Sequence, residues 1–174
     1  FLVASACAFC GFAALGICHG QRTHWQHPLI ARVEARIHAD PVAPPARADW
    51  PQASATRDEY RRVVVTGRYL QQRDTRVQAV TERGPGWWLL TPLRADSGDT
   101  LLVNRGFVPA DWKGAVAPPE GPVRVTGLLR MSEPRGGFLR HNDPIRDRWY
   151  SRDVPAIARA RGLGEVATCF IDAE

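Results

Sequence analysis

The polar residues best placed to do chemistry interrupt an apolar strand pattern. The stretch Asp99 to Pro109 reads D-T-L-L-V-N-R-G-F-V-P, and its L-L-V run has strong strand character. Asn104, Arg105 and Gly106 then break the pattern, and a glycine inside a strand indicates a bulge or a close backbone approach. Two interpretations are open. Either Arg105 reaches solvent from a bulged core strand, or Asn104 and Arg105 hold a neighbouring element or an anionic group.

A second candidate is the pair His141 and Asp143, which could form an acid–base pair. The sequence His141-Asn142-Asp143-Pro144 favours a turn with local side-chain hydrogen bonds instead. No G-x-S-x-G, H-E-x-x-H, Walker or G-x-G-x-x-G motif occurs in the chain. The sequence therefore favours binding or assembly over catalysis, and it predicts no catalytic residue.

The cysteines near the N-terminus resemble two reactive motifs without completing either. Cys7-Ala-Phe-Cys10 is formally a C-x-x-C, but within an apolar run both cysteines are interpreted as small apolar residues. Cys18-His19 lacks the first cysteine of a c-type haem site, because Leu15 occupies its place. These spacings predict no redox or haem attachment site.

No metal site is predicted either. Cys169 is the one cysteine outside the N-terminal region, so no disulfide can form within the rest of the chain. Four histidines cluster loosely after the apolar run: His19, His24, His27 and His38. Their spacing is more typical of exposed interfacial histidines than of metal ligands.

Composition excludes several functional classes. The 174 residues are 44% hydrophobic and 24% charged, so the chain is not disordered by composition. Net charge is +5, and 22 of the 23 basic residues are Arg, a bias typical of high-GC bacterial genomes. No basic cluster is interleaved with aromatic residues, which argues against nucleic-acid binding.

The N-terminal segment predicts a membrane anchor. Phe1 to Cys18 carries no charge, and about 20 apolar residues span a bilayer core. Arg22 and Trp25 follow where interfacial anchors are expected. We predict a transmembrane helix with its anchor over residues 1–24. A cleaved signal peptide is the alternative, although its apolar region would be shorter, about 7 to 15 residues.

Residues 25–56 are predicted to connect this anchor to the remaining chain. Apolar residues recur every four positions in Pro28 to Ala39, which predicts a juxtamembrane helix. Asp40 to Thr56 contains four prolines and predicts a stiff, extended linker.

Residues 57–174 are predicted to form a β-rich domain. Short strands separated by tight turns predict an antiparallel sheet closing toward a barrel. Besides the transmembrane helix, two short helices are predicted in the chain. The predicted strands are Arg62–Tyr69, Thr75–Thr81, Trp87–Leu93, Thr100–Pro109, Val123–Arg130 and Val166–Ile171. The predicted inward-facing residues are Val63, Val65, Leu101, Val103, Val123 and Val125.

Turn and cap residues divide these elements. Gly84-Pro85-Gly86 predicts a turn, and Asp153 and Gly162 are predicted to cap a helix. The segments Val63–Gly67 and Val123–Gly127 resemble each other, V-V-V-T-G against V-R-V-T-G. Two strands that end in the same bulge-forming glycine would explain this sequence similarity.

The motifs, taken in order, resemble the Surfeit locus protein 1 family of cytochrome c oxidase assembly factors. They run L-G, R-x-x-W, L-I-A-R-V-E-A-R, E-Y-R-R-V-x-V-x-G, W-x-L-L-T-P-L, L-V-N-R-G-F-V-P, N-D-P and W-Y-x-R-D, from about Leu15 to Glu174. The recurrent family positions are occupied by Glu59, Tyr60, Gly67, Thr91, Pro92, Asn104, Arg105, Gly106, Asn142, Asp143, Trp149 and Asp153.

The resemblance implies a function without enzymatic activity. It implies a soluble domain between two membrane helices, on the periplasmic side of the bacterial inner membrane and in contact with lipid. Its partners would be subunit I of haem-copper cytochrome c oxidase and other assembly factors, with a transient role in haem a delivery. The alternative is a membrane-tethered periplasmic β-rich module that binds a protein of another complex.

Two departures from the family pattern limit the cofactor prediction. The family's L-G-x-W-Q is replaced by Leu15-Gly16-Ile17-Cys18-His19. The second membrane helix, with the family's haem-associated histidine, would follow residue 174. No cofactor-binding residue is therefore assigned within this chain.

The membrane prediction can be tested by extraction. Because the uncharged run Phe1 to Cys18 should span the bilayer, we expect the protein to stay in the membrane pellet after alkaline carbonate washing. A soluble periplasmic protein, followed in the same preparation, should be released. Recovery of the chain wholly in the supernatant would contradict the transmembrane helix.

Overall fold

A computed structural model describes residue 11 and residues 30–114, 116–134 and 140–174. The chain divides into two compact units, Phe1–His38 and Ala39–Glu174. In the first unit, residues 30–37 are helical, within the predicted juxtamembrane helix. Within the described residues, no helix has both the length and the apolar character needed to cross a membrane. Apart from Gly11, the run Phe1 to Cys18, with its cysteines, lies outside the described residues, so its transmembrane helix stays a prediction.

The second unit is built around one sheet that closes on itself. Its strands are β1 (Arg62–Tyr69), β2 (Thr75–Thr81), β3 (Gly84–Ala95), β4 (Thr100–Pro109), β5 (Val123–Met131) and β6 (Cys169–Ala173). The strand order is β1-β5-β6-β4-β3-β2, and an additional β1–β3 pairing closes five strands into a barrel that leaves β2 outside. All pairs are antiparallel except β4–β6. The prediction of a mainly β chain closing toward a barrel is confirmed.

Strand bounds were predictable where turns flank an alternating pattern, and one turn was misplaced. β1 and β2 have the predicted bounds, but β3 begins at Gly84 and includes the predicted turn Gly84-Pro85-Gly86. A Cβ on Gly86 would lie 2.3 Å from the carbonyl oxygen of Val108, so this glycine allows close strand approach. The last strand also differs, beginning at Cys169 and not at Val166.

The predicted linker is more ordered than its prolines suggest. Residues Arg47–Gln52 form a 3-10 helix, and Ala55–Asp58 form a short helix, α1. Trp50 is buried, and its Nε1–H donates to the carbonyl oxygen of Pro45 at 3.1 Å. The structure therefore differs from an extended linker, because burying one large aromatic ring fixes the segment against the barrel.

The barrel interior holds the first of two apolar cores. Residues that alternate along the strands point inward, as strand geometry requires. The core consists of Trp50, Val63, Val65, Leu93, Ala95, Leu101, Val103, Val125, Leu129, Ala167, Cys169 and Ile171, with Val123 packed against it. All six residues predicted to face inward lie in or against this core.

A helix covers the outer face of the sheet. Helix α2 (Val154–Arg161) begins after Asp153, whose carboxylate accepts from the Ala156 N–H at 3.1 Å, and ends at Gly162 with φ +60°. Both predicted caps are confirmed. The second core combines apolar residues of this helix with outward-facing strand residues: Val77, Leu90, Leu102, Trp149, Val154, Ile157, Ala158, Leu163 and Phe170. Strands buried on both faces explain the uninterrupted L-L-V run of β4.

Two inward-facing glycines permit the sheet to close. A Cβ on Gly67 would lie 2.2 Å from the carbonyl oxygen of Arg94, and one on Gly127 would lie 2.2 Å from that of Asp172. Both glycines pair in an unbroken register, Gly67 with Val123 and Gly127 with Val63, so the prediction that both form bulges is wrong. Each is needed because a neighbouring backbone occupies the space of a side chain.

We expect Gly127→Ala to lower the free energy of unfolding by about 1 to 3 kcal/mol, because the new methyl group collides with backbone rather than with a flexible side chain. Urea unfolding of the full-length protein in detergent measures this. Arg124→Ala, at an exposed position of the same strand, is the matched control and should change stability by less than about 0.5 kcal/mol. Equal stability of Gly127→Ala and the wild type would contradict the close approach.

Candidate functional site

The break in the β4 pattern is a β-bulge. Trp88 pairs with Phe107 and Leu90 pairs with Asn104, so two residues of β4 stand opposite Leu89 alone. One of the two is Gly106, with φ +115°, a value that glycine adopts most readily. The predicted bulge is confirmed.

Asn104 fixes the bulge and also ties it to the last strand. Its Oδ1 accepts from the Gly106 N–H at 3.1 Å, and its Nδ2 donates to Asp172 Oδ1 at 2.8 Å. With 4% of its surface exposed, Asn104 offers little to a partner. Its amide braces the interior of the sheet.

Arg105 holds a neighbouring segment, one of the two roles the sequence left open. Its Nη1 donates to the Val116 carbonyl at 2.7 Å and its Nη2 to the Ala117 carbonyl at 3.0 Å. The guanidinium also lies 5.6 Å from the ring centroid of Tyr69. Arg105 thus fixes the loop after β4 to the barrel and takes part in no described ion pair.

Five charged side chains meet at one edge of the barrel. This arginine–carboxylate cluster consists of Glu59, Arg130, Glu133, Arg152 and Asp172. Arg130 donates from Nε to Glu59 at 3.2 Å and from Nη1 to Asp172 at 3.1 Å. Arg152 donates from Nη2 and Nε to the two oxygens of Glu133, at 2.6 and 3.0 Å. The two guanidiniums therefore join three carboxylates from separate parts of the chain.

Aromatic rings complete the surroundings of both arginines. The Arg130 guanidinium lies 4.9 Å from the Tyr60 ring centroid, and the Arg152 guanidinium lies 4.8 Å from that of Phe170. Burial alone would lower the pKa of Arg130, but Asp172, then Tyr60 and Glu59, favour its charged form and raise the pKa above its ordinary value. Arg130 therefore stays charged.

The cluster is suited to bracing the fold. Each of its carboxylates accepts a hydrogen bond from a guanidinium, so the described geometry presents no uncommitted base. Glu59 follows α1, Arg130 and Asp172 lie on β5 and β6, and Arg152 precedes α2. The network links these elements at their meeting point.

Asn142 and Asp143 organise the turn that precedes α2. Asn142 Oδ1 accepts from the Tyr150 N–H at 2.7 Å, and its Nδ2 donates to Ser151 Oγ at 2.9 Å. Asp143 accepts from the backbone and side chain of Arg146 at 3.2 and 3.0 Å. The hydrogen-bonded turn is confirmed, and Asp143 has Arg146 in place of His141 as its described partner.

Trp149 anchors the same segment. Its ring is buried against the outer core, and its Nε1–H donates to Asp147 Oδ1 at 2.7 Å. Its carbonyl accepts from the Gln78 N–H at 2.8 Å, which joins residues 147–150 to the outer edge of β2.

A groove of about 450 Å³ lies between that segment and β2. We call it the β2 groove. It is lined by Asp74, Arg76, Gln78, Trp87, Val116, Asp147, Arg148, Trp149 and Tyr150. Of the twelve recurrent family positions, Trp149 alone lines it. Glu59, Tyr60 and Asn104 come together at the arginine–carboxylate cluster, whereas Asn142, Asp143 and Asp153 organise the segment leading to α2.

Sequence reasoning missed Arg130, Glu133, Arg152 and Asp172. One signal was available, because Asp172 is a charged residue inside an apolar strand and such residues are rarely buried without a partner. Its partners could not be identified, since they come from distant segments. Over the described part of the chain, no group of three His, Cys, Asp or Glu residues could hold a metal ion.

The fold and the paired charges define a small closed β-barrel domain with a helix packed on its outer face. A family model described as the SURF1 family matches residues 6–174. The chain therefore belongs to the SURF1 family, which confirms the resemblance inferred from its motifs.

Individual relatives agree with this assignment. Surfeit locus protein 1 of Homo sapiens is 35% identical over 91% of the chain, and that of Mus musculus is 33% identical over 92%. A SURF1-like protein of Monosiga brevicollis is 35% identical over 80% of the chain. The chain spans 58%, 56% and 58% of these three proteins, so it corresponds to a little over half of their length.

We expect Asp172→Asn to lower the free energy of unfolding by about 1 to 3 kcal/mol. The change keeps the shape of the side chain but removes the charge facing Arg130 and Arg152. Denaturant unfolding measures the loss. Asp111→Asn, at an exposed turn, should be nearly neutral. If the two substitutions have equal effects, the arginine–carboxylate cluster does not brace the fold.

Proposed function

We propose that this chain is the β-barrel part of a membrane-anchored assembly factor for haem-copper cytochrome c oxidase. Membership of the SURF1 family over residues 6–174 carries the proposal. In this proposal the domain contacts subunit I and other assembly factors and assists the maturation of subunit I, including haem a delivery. The chain spans a little over half the length of its curated relatives, so the activities of a whole assembly factor are proposed for it.

The geometry of the described residues supports assembly over catalysis. The residues at the recurrent family positions mostly brace the barrel. Asn104 fixes a bulge, Asp153 caps α2 and Glu59 pairs with Arg130. A non-catalytic assembly factor needs a stable scaffold that presents surfaces to partners, and these contacts stabilise one.

The proposed location is the bacterial inner membrane, with the barrel on the periplasmic side. It is supported by the uncharged run Phe1 to Cys18 and by Arg22 and Trp25 after it. Membrane lipid is then a partner of the N-terminal segment. A role for haem a is proposed as transient, and no residue of this chain is assigned as its ligand.

Deletion and complementation test the proposal. Deleting the gene should lower haem a absorbance and cytochrome c oxidase activity in isolated membranes, and the wild-type gene should restore both. Succinate dehydrogenase activity, measured in the same membranes, is the control and should stay constant.

A deletion strain with normal haem a absorbance and oxidase activity would overturn the proposal. If another membrane complex were lost instead, the chain would be a protein-binding module of that complex.

A further inference from the structure

Three arginines line or adjoin the β2 groove. Arg76, Arg140 and Arg148 take part in no described ion pair, whereas Arg130 and Arg152 each contact two or more carboxylates. Arg76 and Arg148 are exposed residues of the groove lining. The groove therefore presents guanidiniums that form no described ion pair, although the Arg148 charge helps to lower the pKa of Asp143, after the hydrogen bonds from Arg146.

Of the two carboxylates that line the groove, only Asp147 is paired with a described arginine, and that arginine lies outside the lining. Asp147 forms an ion pair with Arg161 at 2.6 Å and also accepts from the Trp149 ring. Asp74 accepts a hydrogen bond from Thr91 Oγ1 at 2.5 Å. The charges of the lining itself cancel, with Arg76 and Arg148 against Asp74 and Asp147, and the adjoining Arg161 and Arg140 bring the local sum to +2.

Aromatic rings hold two of these arginines at the groove. The Arg76 guanidinium lies 5.9 Å from the ring centroid of Trp87, and the Arg140 guanidinium lies 5.4 Å from that of Tyr150. Arg140 Nη1 also donates to Gln78 Oε1 at 2.8 Å. Guanidiniums positioned in this way keep free N–H groups for a carboxylate.

The backbone beside the groove favours an extended ligand. The outer edge of β2 is partly covered by the segment around Trp149. Val77 and Trp149 form a single parallel β-bridge, in which the Gln78 N–H donates to the Trp149 carbonyl oxygen. By strand alternation the backbone N–H of Val80 faces the same edge, two residues further on. Val80 is 81% exposed, and no backbone group of the described residues accepts from its N–H, so another strand could pair with this end of the edge.

We propose that the β2 groove binds an extended, carboxylate-rich segment of a partner protein, whose acidic side chains pair with Arg76, Arg140 and Arg148 while its backbone pairs with the uncovered end of β2 at Val80. Strand addition supplies affinity through main-chain hydrogen bonds, and the guanidiniums supply selectivity for acidic residues. The inference deepens the proposed function and rests on it, because the segment would belong to a protein that the assembly factor contacts.

The binding test uses the full-length protein in a non-ionic detergent and a fluorescent decapeptide of alternating Glu and Thr. We expect fluorescence anisotropy to show saturable binding that weakens with salt. The same peptide with Gln in place of Glu should bind at least about tenfold more weakly, because charge complementarity is lost.

Paired variants locate the site. Arg76→Gln combined with Arg148→Gln should weaken binding of the Glu–Thr peptide by about tenfold or more. Arg68→Gln combined with Arg124→Gln removes the same charge from exposed positions outside the groove and should change binding by less than about twofold. The thermal midpoint of each variant shows that it is folded.

Three results would overturn the inference: no binding of the Glu–Thr peptide, equal binding of the Gln–Thr peptide, or equal weakening by both pairs of substitutions. If the protein binds no peptide but binds phosphatidylglycerol vesicles, and Arg76→Gln combined with Arg148→Gln abolishes that vesicle binding, the groove is a lipid site instead. Complementation by the wild-type gene is scored separately. Failure of peptide binding with normal complementation rejects the groove alone, whereas failure of complementation rejects the proposed function.

Discussion

Closure of the sheet depends on the space left by two missing side chains. β1 must pair with β5 on one side and β3 on the other, and a five-stranded barrel coils its strands tightly to achieve this. Gly67 and Gly127 lie where neighbouring carbonyl oxygens approach to 2.2 Å from a hypothetical Cβ. In the ladder, Gly67 pairs with Val123 and Gly127 pairs with Val63, with Val65 opposite Val125. The repeated V-x-V-T-G segments thus pair almost symmetrically between β1 and β5.

The closed barrel is also stabilised by contacts outside its apolar core, because its strands come from distant parts of the chain. β6 enters between β4 and β5 after the whole segment of residues 132–168, and α2 covers the outer face above it. Asp172 on β6 accepts from Asn104 of β4, Arg130 of β5 and Arg152 before α2. One carboxylate therefore ties three elements to the final strand, and its partly buried position strengthens these bonds relative to exposed ion pairs.

The sequence predicted what is encoded locally. The alternation in Thr75–Thr81 and the caps Asp153 and Gly162 depend on neighbouring residues, and all were found as predicted. Properties set by distant contacts were not accessible. Gly86 lies in a G-P-G sequence typical of a turn, but in the structure it packs against Phe107 and Val108. Trp50 lies in a Pro-rich stretch, but its side chain belongs to the apolar core of the barrel. The arginine–carboxylate cluster likewise could not be assembled from segments so far apart.

The residues at the recurrent family positions also show that a sequence motif need not mark a binding site. Asn104 and Arg105 are committed to backbone and side-chain partners within the barrel, so the motif around them preserves a bulge and a fastened loop. Arg76 and Arg148 belong to none of those motifs, yet they line the β2 groove without a described ion-pair partner. In a chain whose basic residues are nearly all Arg, partner geometry is what separates guanidiniums that stabilise the fold from those available to another molecule.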